Sequence, residues 1–297
     1  MRWPRRATEP PPAPFVIGVG RSGTTLLRLM LDAHPELAIP PETRFVPRLI
    51  AAARPQDATA ADIVAMLTAE RNWADFGLEP EVVLERLSAA PKVTPAAAVR
   101  SFFGAYAARF DKDRWGDKTP PYGSRMPMIW SAVHEAHFVH LVRDPRDVAV
   151  SWRRFRELRG DDPLTAAHWA QVWAQTIVET RVKASRVPHY LEIRYEDLVS
   201  EPEPTLRRVC EFIALPFSEG MLSYHRSADE RLAELGSGLA AEGGQPARSG
   251  ADRIAPHALT KEPPRADRVG AWQEALSGEE VAEVEAITGE LLPESRT

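Results

Sequence analysis

The chain has 297 residues, 44% of them hydrophobic and 27% charged, enough to bury one substantial core. Thirty-seven Lys and Arg against 42 Asp and Glu leave a formal charge of −5, which argues against a general nucleic-acid binder. No run of about 18 apolar residues is present to span a membrane, and the one cysteine, Cys210, excludes an internal disulfide and suits a reducing compartment.

The first 14 residues carry five prolines and no apolar core of a secretory signal, so they read as a disordered leader on a cytoplasmic protein. Residues 15–19 (FVIGV) suit a buried strand, a Gly-Arg-Ser-Gly turn follows, and residues 24–34 have helical periodicity with Leu27, Met30 and Leu31 on one face. Residues 57–69, 80–90 and 95–110 read as amphipathic helices, with Pro80 and Pro95 at starts where a missing N–H costs little. They make 48–110 a helical insertion. Residues 114–118 are extended, 137–142 (HFVHLV) form a strand, 146–159 a helix and 163–186 a long helix with Trp169 and Trp173 on one face. A third strand spans 189–194 and a helix 205–215, where Cys210 reads as a core thiol. Residues 236–250 are too poor in large apolar groups to pack, so 223–268 is expected to be a mobile loop or lid, and 277–292 closes the chain as a helix. Alternating strands and helices imply an α/β fold with a mostly parallel sheet covered on both faces, in one domain over 15–297.

Two segments carry the chemistry. Gly18 to Thr25 (GVGRSGTT) lies between strand and helix, where backbone N–H groups and the helix dipole cradle anions. The Gly18–x4–Gly23 spacing matches a phosphate loop, but Thr24 stands where a triphosphatase carries its lysine, and Arg21 supplies a cation from inside the loop. An ordinary tight turn is the alternative. The second segment, LVRDPRDVAVS, puts Arg143 at the carboxyl end of a strand, the ligand edge of an open α/β sheet, with Ser151 eight residues on. An arginine fork and a hydroxyl suit a phosphate monoester. Asp144 and Asp147 keep open a magnesium-binding role as in a triphosphatase.

These paired motifs resemble those of sulfotransferases that use 3′-phosphoadenosine 5′-phosphosulfate (PAPS), a family with a P-loop nucleotide-hydrolase-like fold. Residues 18–47 are especially similar to tyrosylprotein sulfotransferases and their bacterial relatives. The likeness covers 15–47, 115–157, 189–217 and, more weakly, 261–272. It implies that Arg21, Ser22, Gly23, Thr24 and Thr25 wrap the 5′-phosphosulfate, that Arg143 and Ser151 hold the 3′-phosphate, and that Tyr195 of the YEDL segment contacts the nucleotide. Where those relatives carry a further arginine this chain has Phe155, flanked by Arg154 and Arg156. The resemblance makes Glu42 of PETR the general base and Lys118 of WGDKTP the cation near the bridging oxygen, with Arg21 helping. The family's serine upstream of Trp272 falls at Pro256 or His257, so His257 is the candidate donor to the sulfuryl oxygens, and Arg265 and Arg268 are candidates to close over the nucleotide.

No metal is expected. His134, His137 and His140 are close in sequence, but His137 and His140 would lie on opposite faces of a strand. The implied reaction is sulfuryl transfer to a small-molecule hydroxyl acceptor. A phosphate-loop small-molecule kinase using ATP and magnesium, and a non-catalytic nucleotide-binding module, are the alternatives.

Overall fold

The computed structural model describes residues 10–242 and 246–291. Most of the expected leader, residues 1–9, lies outside them, and the first strand opens at Ala13, inside the stretch expected to be disordered.

Four parallel strands form the main sheet in the order β4-β1-β5-β6: β1 is Ala13–Gly18, β4 Asp117–Lys118, β5 Ala136–Val142 and β6 Tyr190–Arg194. The central strands β1 and β5 are buried along their whole length, in register from Ala13 opposite Ala136 to Gly18 opposite Leu141. That is why they read as unbroken apolar runs rather than alternating ones. Two short strands, β2 (Leu37–Ala38) and β3 (Arg114–Trp115), make a separate parallel pair.

Alternate residues of β1 feed two cores. Phe15 and Ile17 join Phe45, Phe76, Phe102, Phe103 and Phe138 on one face, and Val16 joins Leu27, Met30, Leu31, Val139 and Leu141 on the other. The second core packs α1 (Thr24–Asp32). The first core holds the helical insertion: α2 (Val46–Ala52), α3 (Ala60–Thr68), α4 (Pro80–Ser88) and α5 (Pro95–Ala108). Phe103 packs on Phe15 of β1, and Phe102, Phe76 and Trp73 extend the same core outward through the insertion. Helix α3 starts three residues later than expected, because Thr59 and Asp62 form a reciprocal capping box at Ala60.

Helices α6 (Met126–Ala132), α7 (Pro145–Leu158) and α8 (Ala166–Ala184) follow. In α8, Thr165 is the N-cap, and Trp169 stacks on Trp152 of α7 with ring centroids 4.1 Å apart. Helices α9 (Tyr195–Ser200) and α10 (Pro202–Phe212) cover β6; α10 begins before residue 205 because Pro202 occupies its first turn. Cys210 is buried there, with its thiol pushed up to about 11 by desolvation.

The segment expected as a loop over 223–268 consists largely of short helical turns, among them α11 (Ala228–Ala233), α12 (Gly250–Ile254) and the 3₁₀ turn Ala255–Lys261. Buried ion pairs anchor its first part. Arg231 donates to Asp32 at 2.9 Å, while Glu234 accepts from Arg28 at 2.9 Å and from the Tyr106 hydroxyl at 2.8 Å. Polar groups so deeply buried persist only when each finds a partner, and here the partners tie the segment to α1 and α5. The chain closes with α13 (Trp272–Ala275) and α14 (Gly278–Thr288), the latter capped reciprocally by Ser277 and Glu280. The expected helix end at Leu292 lies outside the described residues. No helix among the described residues is long and apolar enough to cross a membrane.

Candidate active site

The loop after β1 is shaped by its glycines. Gly23 takes φ +93° at the N-cap of α1, and a Cβ there would come within 2.5 Å of the Tyr195 ring. Arg21 is also left-handed, at φ +71°, and the Ser22 amide closes the turn onto the Val19 carbonyl at 3.2 Å. No side chain caps α1, so its first amides stay open toward the loop. The Ser22 hydroxyl is buried without a hydrogen-bond partner.

The second motif meets this loop. Arg143, directly after β5, lies 4.2 Å from the Tyr195 ring centroid and donates to the carbonyls of Arg268 at 2.9 Å and Arg21 at 3.4 Å. Its Nε is buried and unpartnered. The Ser151 hydroxyl, on α7, accepts from Arg21 Nε at 3.3 Å, although the two residues are 130 positions apart. Trp173 of α8 buttresses the strand end by donating to the Arg143 carbonyl at 2.9 Å. A cavity of about 430 Å³ opens here, lined by Arg21, Thr24, Thr25, Arg143, Ser151 and Tyr195. Arg154 lines it too, as does Phe155, which stands where the resembled relatives carry an arginine and packs under the Arg21 guanidinium at 5.1 Å.

The acids that suggested magnesium already have partners, although Asp147 lines the smaller cavity 4.0 Å from Arg143. Asp144 caps α7 and pairs with Arg146 at 2.7 Å. Asp147 accepts from the backbone amides of Gly270 and Trp272, both at 3.0 Å, and straps the carboxyl-terminal segment down. The three histidines do not converge: His137 stacks on His189 at 4.0 Å, His134 packs on Trp130, and His140 bonds the Tyr190 hydroxyl at 2.6 Å.

A second and larger cavity, about 1030 Å³, lies beside the first. The two share a wall of Arg21, Thr24, Thr25, Phe155, Pro256 and His257. Glu42 and Lys118 line the larger one, paired at 2.8 Å, and Lys118 also reaches the Thr25 hydroxyl at 3.4 Å. Arg44 takes the other Glu42 oxygen at 2.6 Å. Burial alone would raise the Glu42 pKa, but the charges of Lys118 and Arg44 override it and hold the carboxyl down at about 2. Burial lowers Lys118, and Glu42 opposes that shift.

Arg21 donates to the Pro256 carbonyl at 3.2 Å, which sets the turn that carries His257. Burial, the Arg143 charge and an opposing contribution from Glu42 leave Arg21 at about 10. Burial and the charges of Lys118 and Arg21 push His257 down to about 3, so its imidazole is neutral and has one N–H to donate. Arg268 borders the smaller cavity with its Nε buried and unpartnered. Arg265 is exposed and held by Asp267 and Glu262.

A parallel sheet flanked by helices, with a glycine-turned loop at the carboxyl end of one central strand and an Arg–Ser pair after the other, defines an α/β protein whose candidate site lies at the strand ends. The sequence matches the model of the Sulfotransferase family over residues 12–219, and the chain belongs to that family, with its P-loop-like fold. It is 28% identical over 225 residues to protein-tyrosine sulfotransferase A of Caenorhabditis elegans, covering 71% of this chain and about half, 52%, of that protein. Among solved structures, the sulfotransferase domain of the Synechococcus PCC 7002 olefin synthase superposes with TM-score 0.57 at 23% identity, covering 99% of this chain and 100% of that one. Mouse sulfotransferase SULT7A1, complexed with PAP, gives TM-score 0.51 at 15% identity, covering 97% and 86%.

Proposed function

We propose that the protein transfers a sulfuryl group from PAPS to a hydroxyl acceptor and releases 3′-phosphoadenosine 5′-phosphate (PAP). The observation that carries this reading is the shared wall: the cavity lined by the β1–α1 loop, Arg143 and Ser151 meets a larger one at Arg21, Thr24, Thr25 and His257, and Glu42 and Lys118 stand beside that junction. A module that only binds nucleotide would not require the second cavity with an acid and a cation at the boundary. The donor fits the residues present. The buried, unpartnered Ser22 hydroxyl and Arg143 Nε are groups that an anion would satisfy, and the Gly23 turn keeps the α1 amides open.

In this reading Arg21, Ser22, Gly23, Thr24 and Thr25 hold the 5′-phosphosulfate, Arg143 and Ser151 hold the 3′-phosphate, and Tyr195 contacts the nucleotide. The acceptor oxygen bonds to sulfur, its proton passes to the Glu42 carboxylate, and the sulfur–oxygen bond to the 5′-phosphate breaks. Lys118 and Arg21 meet the charge left on PAP, and neutral His257 donates to the sulfuryl oxygens. When Lys118 turns toward that charge, Glu42 keeps only Arg44 of the two partners that hold it acidic and becomes a stronger base. The scheme uses fixed cations in place of a divalent metal.

The test is a thermal-shift titration with PAP beside ATP plus magnesium, followed by transfer from labelled PAPS with and without EDTA. PAP at a hundredfold excess over Kd should add about 2.7 kcal/mol of stability. Stabilisation by magnesium-ATP alone, or turnover abolished by EDTA, would replace this reading with a kinase, for which Thr24 lacks the lysine charge.

A further inference from the structure

The larger cavity is a basic region in an acidic protein. Among the described residues that line it, nine carry basic side chains and five carry acidic ones, against a formal charge of −5 for the whole chain. Pairing leaves an excess. Arg48 pairs with Glu70 and Arg253 with Asp75, but Lys118 and Arg44 share the single carboxylate of Glu42.

Arg248 stands apart from all of these. Its backbone forms a two-way bridge with Leu239, which sets it on the cavity rim, and its side chain is partly buried with no acidic partner among the described residues. Asp252, one turn on, is held in the capping box with Ser249 and forms no ion pair with Arg248, although the charges of Arg159 and Arg248 help to lower its pKa. Arg248 instead faces other guanidinium groups. Burial and the charges of Arg159, Arg44 and Arg71 lower its pKa, opposed in part by Asp161. Arg159 reaches Asp161 at 3.3 Å, and its guanidinium sits 5.1 Å from the Phe155 ring centroid, on the shared wall. Like charges held around one cleft repel until an anion joins them, and guanidinium forks match the planar or tetrahedral oxygens of carboxylate, phosphate and sulfate. None of Arg44, Arg159 and Arg248 lines the smaller cavity, so the charges of the donor do not account for them.

We propose that the hydroxyl acceptor is a small anionic alcohol or phenol, whose carboxylate, phosphate or sulfate is received by Arg44, Arg159 and Arg248, with Arg248 selecting for the charge. The cavity volume, about 1030 Å³, lies at the upper end of the small-molecule range. This assignment rests on the sulfotransferase reading above and adds the charge of its second substrate.

The test is calorimetry on the full chain, first with PAP and then, at saturating PAP, with three matched phenols: 4-hydroxyphenylacetate, its neutral amide 4-hydroxyphenylacetamide, and cationic tyramine. Saturating PAP keeps the anion out of the donor cavity. The carboxylate should bind at least tenfold more tightly than the amide and tyramine more weakly still. Arg248→Gln should bring the carboxylate and amide to within about twofold, and Arg248→Glu should reverse the order, with PAP affinity unchanged in both as the check on folding. Binding of the amide or tyramine as tight as that of the carboxylate, no binding of the carboxylate, or a preference that survives Arg248→Gln overturns the proposal. Failure of the donor reading shows separately, as absence of PAP binding in the first titration.

Discussion

The Thr43 hydroxyl donates to Asp117 Oδ1 at 2.8 Å, and this buried bond joins the residue after Glu42 to the residue before Lys118. The Thr43 amide also donates to the Thr119 hydroxyl at 3.1 Å. The Tyr122 hydroxyl lies 3.0 Å from Thr43 Oγ1 and accepts from the Val46 amide at 3.0 Å. Because Thr43, Asp117 and Thr119 are wholly enclosed, each lost bond leaves a partner unsatisfied. The loop that carries the acid and the strand that carries the cation are therefore held as one unit. Thr43→Val keeps the shape and removes the hydroxyl. It should cost about 1–3 kcal/mol of stability in urea unfolding. It should also lower kcat for sulfuryl transfer while leaving PAP affinity within twofold. Equal losses in kcat and PAP affinity would mean that the bond supports the fold alone.

Asp117 gives a pH signature of its own. Burial raises its carboxyl to about 7, against hydrogen bonds from Thr43 and Thr119 and the charge of Lys118, which lower it. Between the unfolded value near 3.8 and about 7 the folded chain keeps a proton that the unfolded chain releases, so this group's contribution to stability falls as pH rises through that window. Asp117→Asn removes the ionisation while retaining an oxygen for Thr43. Relative to the unaltered protein, the variant should gain stability steadily from pH 4 to 7, by up to about 4 kcal/mol, and by nothing further above pH 8. Paired unfolding curves across pH 4–9 measure this, and a constant difference would contradict it.

Activity should separate Glu42 from His257 as the base. Glu42 is held at about 2 by Lys118 and Arg44 against the opposing effect of burial, and His257 at about 3 by burial and neighbouring cations. Neither changes charge in the free protein above pH 5. The one site ionisation discussed above that remains in that range is Asp117, so kcat/KM for PAPS in Asp117→Asn should show no limb from pH 5 to 8 beyond that of the PAPS 3′-phosphate itself, at about pH 6. Glu42→Gln should lower kcat by about 10²–10⁴-fold with PAP binding intact. A limb near pH 6.5 that survives Asp117→Asn and disappears in His257→Ala would transfer the role to the histidine.

The anion loop and the Arg143–Ser151 motif are readable in the sequence because strand, turn and helix follow one another within a few residues and the chemistry is local. Glu42 and Lys118 stand out only through the likeness of short segments, since neither has periodicity or spacing to mark it. Strand β4 is two residues long, too short for any alternation, so its place beside β1 is settled by pairing. The anchoring of 223–268 rests on Arg28 with Glu234 and Arg231 with Asp32, separated by 206 and 199 positions, and no local pattern encodes such partners. For the same reason Arg248 looks like an ordinary loop arginine until the fold brings Arg44 and Arg159 beside it. Phe155 occupies the place of an arginine, and Arg154 faces the smaller cavity from the neighbouring position, which sequence alone could not choose over Arg156.

Gly23→Ala tests the turn. Its φ of +93° is strained for a residue with a side chain, and the new methyl would meet Tyr195 ring carbons at 2.5 and 2.7 Å. The Tyr195 ring is itself held under Arg143, so it cannot yield without disturbing the second motif. The substitution should destabilise the protein by about 1–3 kcal/mol and weaken PAP by at least tenfold. Adding Tyr195→Ala removes the clash and should restore part of the lost stability but not the PAP affinity. If the double variant is no more stable than Gly23→Ala, the strain lies in the backbone dihedral rather than in the ring contact.

Arg143→Lys separates charge from shape. A lysine keeps the positive charge but neither lies flat on the Tyr195 ring nor offers a forked donor. If Arg143 reads the 3′-phosphate, PAP affinity should fall by about 10–100-fold, whereas 5′-AMP, which lacks that phosphate, should bind the variant as it binds the unaltered protein. Calorimetry with the two nucleotides gives the comparison directly. Arg143 also donates to the Arg21 and Arg268 carbonyls, at 3.4 and 2.9 Å, so it could act by holding the loop in shape. An equal loss for both nucleotides would assign it that positioning role and leave Ser151 and Arg154 as the groups facing the 3′-phosphate.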